Sequence, residues 1–150
     1  LDAFEIRAAL EGVAARLAAE RGPDPAMRAA LARALAAGDA VVARGTLEPA
    51  DLAAFRDANS AFHEAILAAS GNPRLAGMVR QCQSTPPAST RRMWVFSAAQ
   101  LRRSHDDHHR IEEAVLAGQG ARAEALMREH VASLKAALLR AMRDGTLSAA

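Results

Sequence analysis

The stretch Leu52-Ala53-Ala54-Phe55-Arg56-Asp57-Ala58-Asn59-Ser60-Ala61-Phe62-His63-Glu64-Ala65-Ile66 decides how the chain is read. Leu52, Phe55, Phe62 and Ile66 recur at intervals that keep one face of an α-helix apolar. Asn59 and His63 occupy slots of that same stripe, where a leucine would be ordinary. Two further segments repeat the substitution. His108 interrupts the run Leu101, Ile111, Val115, and His130 interrupts Leu126, Leu134, Leu138. A single inward histidine is commonly a core residue hydrogen-bonded to a carbonyl. Three of them on three helices, with a buried amide beside one, point instead to a shared task, and a metal ion inside a helical bundle is the simplest.

Composition supports an all-helical reading. Hydrophobic residues make up 51% of the 150-residue chain and aromatics only 3%, with no tyrosine. That balance suits Ala/Leu-rich helices and not β-sandwiches or barrels, which want β-branched and aromatic strands. The length fits one domain with a core of its own. A formal charge of +2 is too small to suggest a nucleic-acid surface, and the basic character is arginine, since Lys135 is the only lysine. Cys82 is alone, so no internal disulfide is available and a reducing cytosol is the expected compartment. No run approaches the roughly 18 apolar residues of a membrane span, and no signal peptide opens the chain. The chain begins at Leu1 and goes straight into a helix, which reads as a piece of a longer protein.

Punctuation divides the sequence into about six helices. The first opens at Asp2 with Glu5 three residues on, a capping-box spacing, and carries Ile6, Leu10, Val13 and Leu17. Gly22-Pro23-Asp24-Pro25 ends it and starts the second, with Asp24 as N-cap, a stripe of Met27, Leu31, Leu35 and Val42, and Gly45 as stop. The third runs from about Pro49 to Ala69 and closes at Ser70-Gly71. Asn72-Pro73 caps a fourth bearing Leu75, Val79 and Cys82, which Pro86-Pro87 breaks. Helix is expected to resume over 88–96. Ser97-Ala98-Ala99-Gln100 caps the fifth, and Gly118-Gln119-Gly120 separates it from a sixth ending near Arg143. The expected fold is an all-α antiparallel bundle with a central metal and ligand pocket, spanning 1–145, with 146–150 as a tail.

Asn59 and His63 are an i, i+4 pair, so both reach one point from one helix. First-row divalent metals accept neutral imidazole, and facing helices of a bundle can present it. Each ligating histidine needs a partner for its other ring nitrogen, and Glu64, Asp106, Asp107, Glu112 and Glu129 are the acids near in sequence. His105, one turn before His108, is read as a pocket residue and His109 as solvated. Arginine is the natural anchor for a carboxylate ligand. Arg7 sits at the edge of the first helix's stripe, where a surface pair with Glu11 is its plain alternative. Arg91 and Arg92 flank the stretch before Trp94, with a solvated face as theirs. Trp94 and Phe96 read as core or interface.

Glu5-x-Arg7-x-x-Leu10-Glu11 with Ala14-Ala15-Arg16-Leu17-Ala18, Asn59-x-x-Phe62-His63-x-x-Ile66, Ser70-Gly71-Asn72-Pro73-x-Leu75, His108-x-x-Ile111-x-x-Ala114-Val115 and Ala125-x-Met127-x-x-His130 follow one another in order. As a set they resemble the FCD domain, the C-terminal effector-binding domain of FadR-type GntR bacterial transcription regulators. The resemblance covers nearly the whole chain. It implies Asn59, His63, His108 and His130 as ligands of a divalent metal, Asn59 standing where that family often has Asp. Zinc and nickel are the expected ions, with manganese next. Four neutral ligands would leave the ion's charge uncompensated and attractive to an anionic effector.

The function expected is therefore that of a sensor. It would bind a metal and a small organic acid through Asn59, His63, His108 and His130, with Arg7, Arg91, Arg92 and His105 as acid contacts. Its output would be control of DNA binding by a winged helix-turn-helix that the family carries ahead of this domain and that these residues do not include. A cytoplasmic homodimer, with no membrane partner, completes the expectation. The alternative is a metal-dependent hydrolase or transferase of the three-histidine, DinB-like bundle type. A purely structural dimerisation module is the third. The sensor reading assigns no catalysis.

Overall fold

The computed structural model describes residues 2–46, 48–84 and 97–144. Arg91, Arg92, Trp94, Phe96, the helix expected over 88–96 and the 146–150 tail lie outside the described residues. Six helices are formed among those described, with no strand: α1 (Asp2–Arg21), α2 (Pro25–Arg44), α3 (Pro49–Ala69), α4 (Pro73–Gln83), α5 (Ala98–Leu116) and α6 (Gly120–Arg143).

The helix ends follow from local chemistry. Asp24 accepts a hydrogen bond from the Met27 N–H at 2.8 Å, with Pro25 supplying a φ already suited to the first turn. Asn72 does the same for Leu75 at 3.1 Å, and Ser97 for Gln100 at 3.2 Å. Gly45, at φ 68°, closes α2 in the left-handed conformation that costs other residues a steric clash. The capping box expected at Asp2 is not formed that way. Asp2 already lies inside the helix, and Glu5 instead meets Lys135 of α6 at 2.5 Å.

That contact belongs to the longest interface. α1 packs chiefly on α6, and Arg16 meets Glu124 at the end opposite to the Glu5–Lys135 pair, so the two run antiparallel. α2 packs on α3 and on α5. α1 also touches α3, α4 and α5, so it is the bundle's central helix.

This centrality overturns one expected face. Ile6, Leu10, Val13 and Leu17 do not form the buried stripe of α1, and Ile6 is 51% exposed. The buried side is Phe4, Arg7, Glu11, Gly12, Ala14, Ala15, Ala18 and Ala19. Small side chains let four neighbours approach one helix closely, whereas the larger aliphatics fit only at its flanks. At Gly12 a Cβ would stand 2.5 Å from the Arg128 side chain and 3.2 Å from the Glu124 carbonyl. On α6 the buried face is likewise shifted, to Ala123, Met127, His130, Val131 and Leu138, with Leu126 and Leu134 half-buried.

The main core draws Phe4, Leu31, Phe62, Ile66, Ile111 and Met127 together. Each large apolar side chain so buried contributes roughly 1.5–3 kcal/mol. A smaller cluster of Val41, Phe55 and Leu101 joins α2, α3 and α5. Phe62 of the main core lies against His108, and Phe55 of the smaller cluster against His105.

Candidate metal centre

His63 comes from α3, His108 from α5 and His130 from α6, and all three are buried. The Nε2 atoms of His108 and His130 are 3.2 Å apart. Ring centroids separate by 5.4 Å for His63–His108, 5.3 Å for His63–His130 and 4.6 Å for His108–His130. One nitrogen from each ring falls within 4.8 Å of the others. Phe62 lies against His108, centroids 4.3 Å apart, and fixes one side of the cluster. Asn59 is buried one turn before His63 on the same helix.

The orientation of His63 is set from α1. Its Nδ1 hydrogen-bonds Glu11, whose other oxygen accepts from Arg7 Nε at 2.5 Å and from the Gln83 amide at 3.5 Å. A carboxylate only accepts, so Nδ1 carries a proton, and in the neutral ring Nε2 keeps a lone pair. That Nε2 is buried and without a hydrogen-bond partner. An orphaned buried acceptor costs about 1–3 kcal/mol, and an electron-pair acceptor among the three rings would satisfy it. Three imidazole nitrogens so gathered are a donor set that could hold a divalent metal ion.

Burial outweighs everything else at His108, holding its pKa well below the usual 6.5, and the surrounding histidines push the same way. Burial also lowers His130, against the opposing pull of Asp107, whose Oδ2 is 3.7 Å from His130 Nδ1. Both rings therefore stay neutral in the form that ligates. Burial would raise Glu11, but Arg7 and His63 together hold it far below the ordinary carboxylate range.

Of the acids near in sequence, only Asp107 stands beside a cluster histidine. Glu64 instead pairs with Arg80 at 2.7 Å on the surface. The Arg7–Glu11 pair exists, but it is not a surface pair: both side chains are 1% exposed. Burial makes it a fixed post for His63 and leaves it a small net contributor to stability. His105 is buried and its ring centroid is 6.0 Å from His108, yet its Nε2 turns away to Asp39 of α2 at 2.8 Å. His109 is on the surface as expected, 2.9 Å from the same Asp39 oxygen.

A cleft of about 250 Å³ lies between α5 and α6, lined by Arg103, Asp107, His130, Leu134, Ala137 and Arg140 among others. Of the three histidines only His130 lines it, together with Arg103 and Arg140, two cationic side chains that sequence reasoning did not select. Glu11 and Asp39 were also missed. Glu11 has a legible signal: Phe4, Arg7, Glu11, Ala14 and Ala18 recur with helical spacing once alanine is counted as core. Asp39 has another, because the neighbouring Gly38 is an interior helix glycine, unfavourable by about 1 kcal/mol unless something approaches closely.

Residues 2–133 match the FCD domain family. Two curated relatives are similar. One is the HTH-type transcriptional regulator LutR of Bacillus subtilis, 36% identical over 136 residues, covering 88% of this chain and 58% of LutR. The other is the HTH-type transcriptional repressor GlaR of Escherichia coli, 36% identical over 140 residues, covering 87% of this chain and 60% of GlaR. The chain thus spans under two thirds of either relative. Both carry the names of regulators, not of enzymes.

Proposed function

The chain belongs to the FCD domain family, and from that premise we propose that it is an effector-binding domain whose signal is a small organic acid received at a metal held by Asn59, His63, His108 and His130. The observation that carries this reading is the buried, partnerless Nε2 of His63, in a group with His108 and His130 whose ligand atoms lie within 4.8 Å of one another. A bound divalent ion supplies positive charge and an open coordination position to an entering carboxylate.

The chain's own residues do the rest. Glu11 and Asp107 orient two of the rings, and burial keeps His108 and His130 neutral. Arg103 and Arg140, lining the cleft that reaches His130, offer planar forks to a carboxylate. They serve this better than Arg7, whose guanidinium is engaged with Glu11. Arg91 and Arg92 remain part of the proposal as expected from sequence. Occupancy of the cleft would shift α5 against α6 and so bias a DNA-binding domain joined to this one. Two such chains would act as a homodimer.

The test is metal analysis of protein purified without chelator or nickel column, followed by calorimetry with a panel of small acids in the presence and absence of zinc. A drop of one metal ion per chain on replacing His108 and His130 together by Ala, and acid binding that requires that ion, support the reading. Unchanged metal content in that double variant refutes it.

A further inference from the structure

Asp39, His105 and His109 form a second cluster outside the buried triad. His105 and His109 are an i, i+4 pair on α5, so both rings leave one helix face one turn apart. Their Nε2 atoms meet a single oxygen, Asp39 Oδ1 of α2, at 2.8 and 2.9 Å. The two ring centroids are 4.8 Å apart, and the three potential ligand atoms lie within 4.8 Å of one another.

The surroundings are shaped for this. His105 is 3% exposed, braced edge-on by Phe55 with centroids 5.9 Å apart. Gly38 makes room for its ring: a Cβ there would stand 2.2 Å from His105 Cε1 and 2.6 Å from Nδ1. Asp39 and His109, by contrast, are 55% and 44% exposed, so the cluster faces solvent on one side. One anchored imidazole, one open imidazole and one carboxylate on a facing helix make a two-histidine, one-carboxylate donor set with free positions.

We propose that Asp39, His105 and His109 bind a second divalent metal ion of the zinc, nickel or copper class at the protein surface. The carboxylate supplies the anionic ligand that the neutral inner set lacks. Water completes the shell on the exposed side. The inner and outer clusters are neighbours through His108 and His105, yet they share no ligand.

Zinc alone is the probe, titrated calorimetrically into the full chain after chelator treatment. Two ions per chain are expected for the wild type. His109→Ala and Asp39→Asn each remove one, weakening it by more than the 10–100-fold that loss of a supporting group costs. Both positions are exposed, so retained helicity by circular dichroism is expected of either variant. The His108→Ala, His130→Ala double variant should keep the outer ion. The proposal is overturned if His109→Ala and Asp39→Asn titrate like wild type, or if the double variant binds no zinc at all. A wild type that binds one ion, lost on His109→Ala but kept by the double variant, upholds the outer site while refuting the inner one.

Discussion

Asn59 carries an amide where the family that the sequence resembles often has a carboxylate. Asn59→Asp adds a negative ligand at nearly the same size. Metal should bind more tightly, because a carboxylate is the stronger donor to a dication. The acid should bind more weakly, because it then meets a partly neutralised ion and a like charge. Calorimetry on both forms checks each half, and no change in either affinity removes Asn59 from the ligand set. Glu11 acts on the same site from a different helix. Glu11→Gln leaves the shape but lets the amide donate to His63, so Nε2 no longer has to keep the lone pair. A loss of roughly 10–100-fold in zinc affinity is expected, together with a lower melting temperature, because the buried Arg7–Glu11 ion pair is broken. Wild-type zinc affinity in this variant would mean that Glu11 does not orient the ring.

At the scale of the element, α1 shows how a helix at the centre of a bundle differs from one on its outside. Its large aliphatics are at the flanks, and Ala14, Ala15, Ala18 and Ala19 are inside. Ala18→Leu should therefore destabilise by roughly 1–3 kcal/mol through overpacking. Ile6→Ala should stay within roughly 0.5 kcal/mol, because Ile6 is half in solvent. Chemical denaturation separates the two, and the reverse ranking would restore the stripe expected from sequence. The element boundaries, unlike that face, were legible: Asp24, Asn72 and Ser97 cap where their side chains can reach an unpaired N–H. The inward positions of His63, His108 and His130 were legible for the same reason, since the large residues flanking each one already mark a helix face. The spacing of large aliphatics misplaces the buried face of α1, because alanine is a core residue where helices crowd.

For the molecule as a whole, burial couples stability to acid. His108 and His130 have folded pKa values below the 6.5 of an unfolded histidine. The unfolded chain therefore takes up their protons first, and the stability that their neutral burial requires is complete above about 6.5 and falls as pH drops below it. Glu11 and Asp107, with lowered carboxylate values, add a second loss as pH falls below about 4.5. Chelator-treated protein should thus melt at progressively lower temperature from pH 7.5 to pH 5. Zinc should raise the melting temperature at pH 7.5, by about 2.7 kcal/mol of stability at a hundredfold excess over Kd, and lose most of that effect near pH 5. A melting temperature independent of pH across that range would show that the two histidines titrate normally. What the sequence alone determined was the helical class, the helix ends and the three inward histidines, because caps and periodicity are local properties carried within a few residues of chain. Only the tertiary structure decided that Glu11 sets His63, that Asp39 gathers His105 and His109, and that Arg103 and Arg140 line the way to His130. Those pairings join different helices, and their register is fixed by how closely the alanines and glycines let the helices approach.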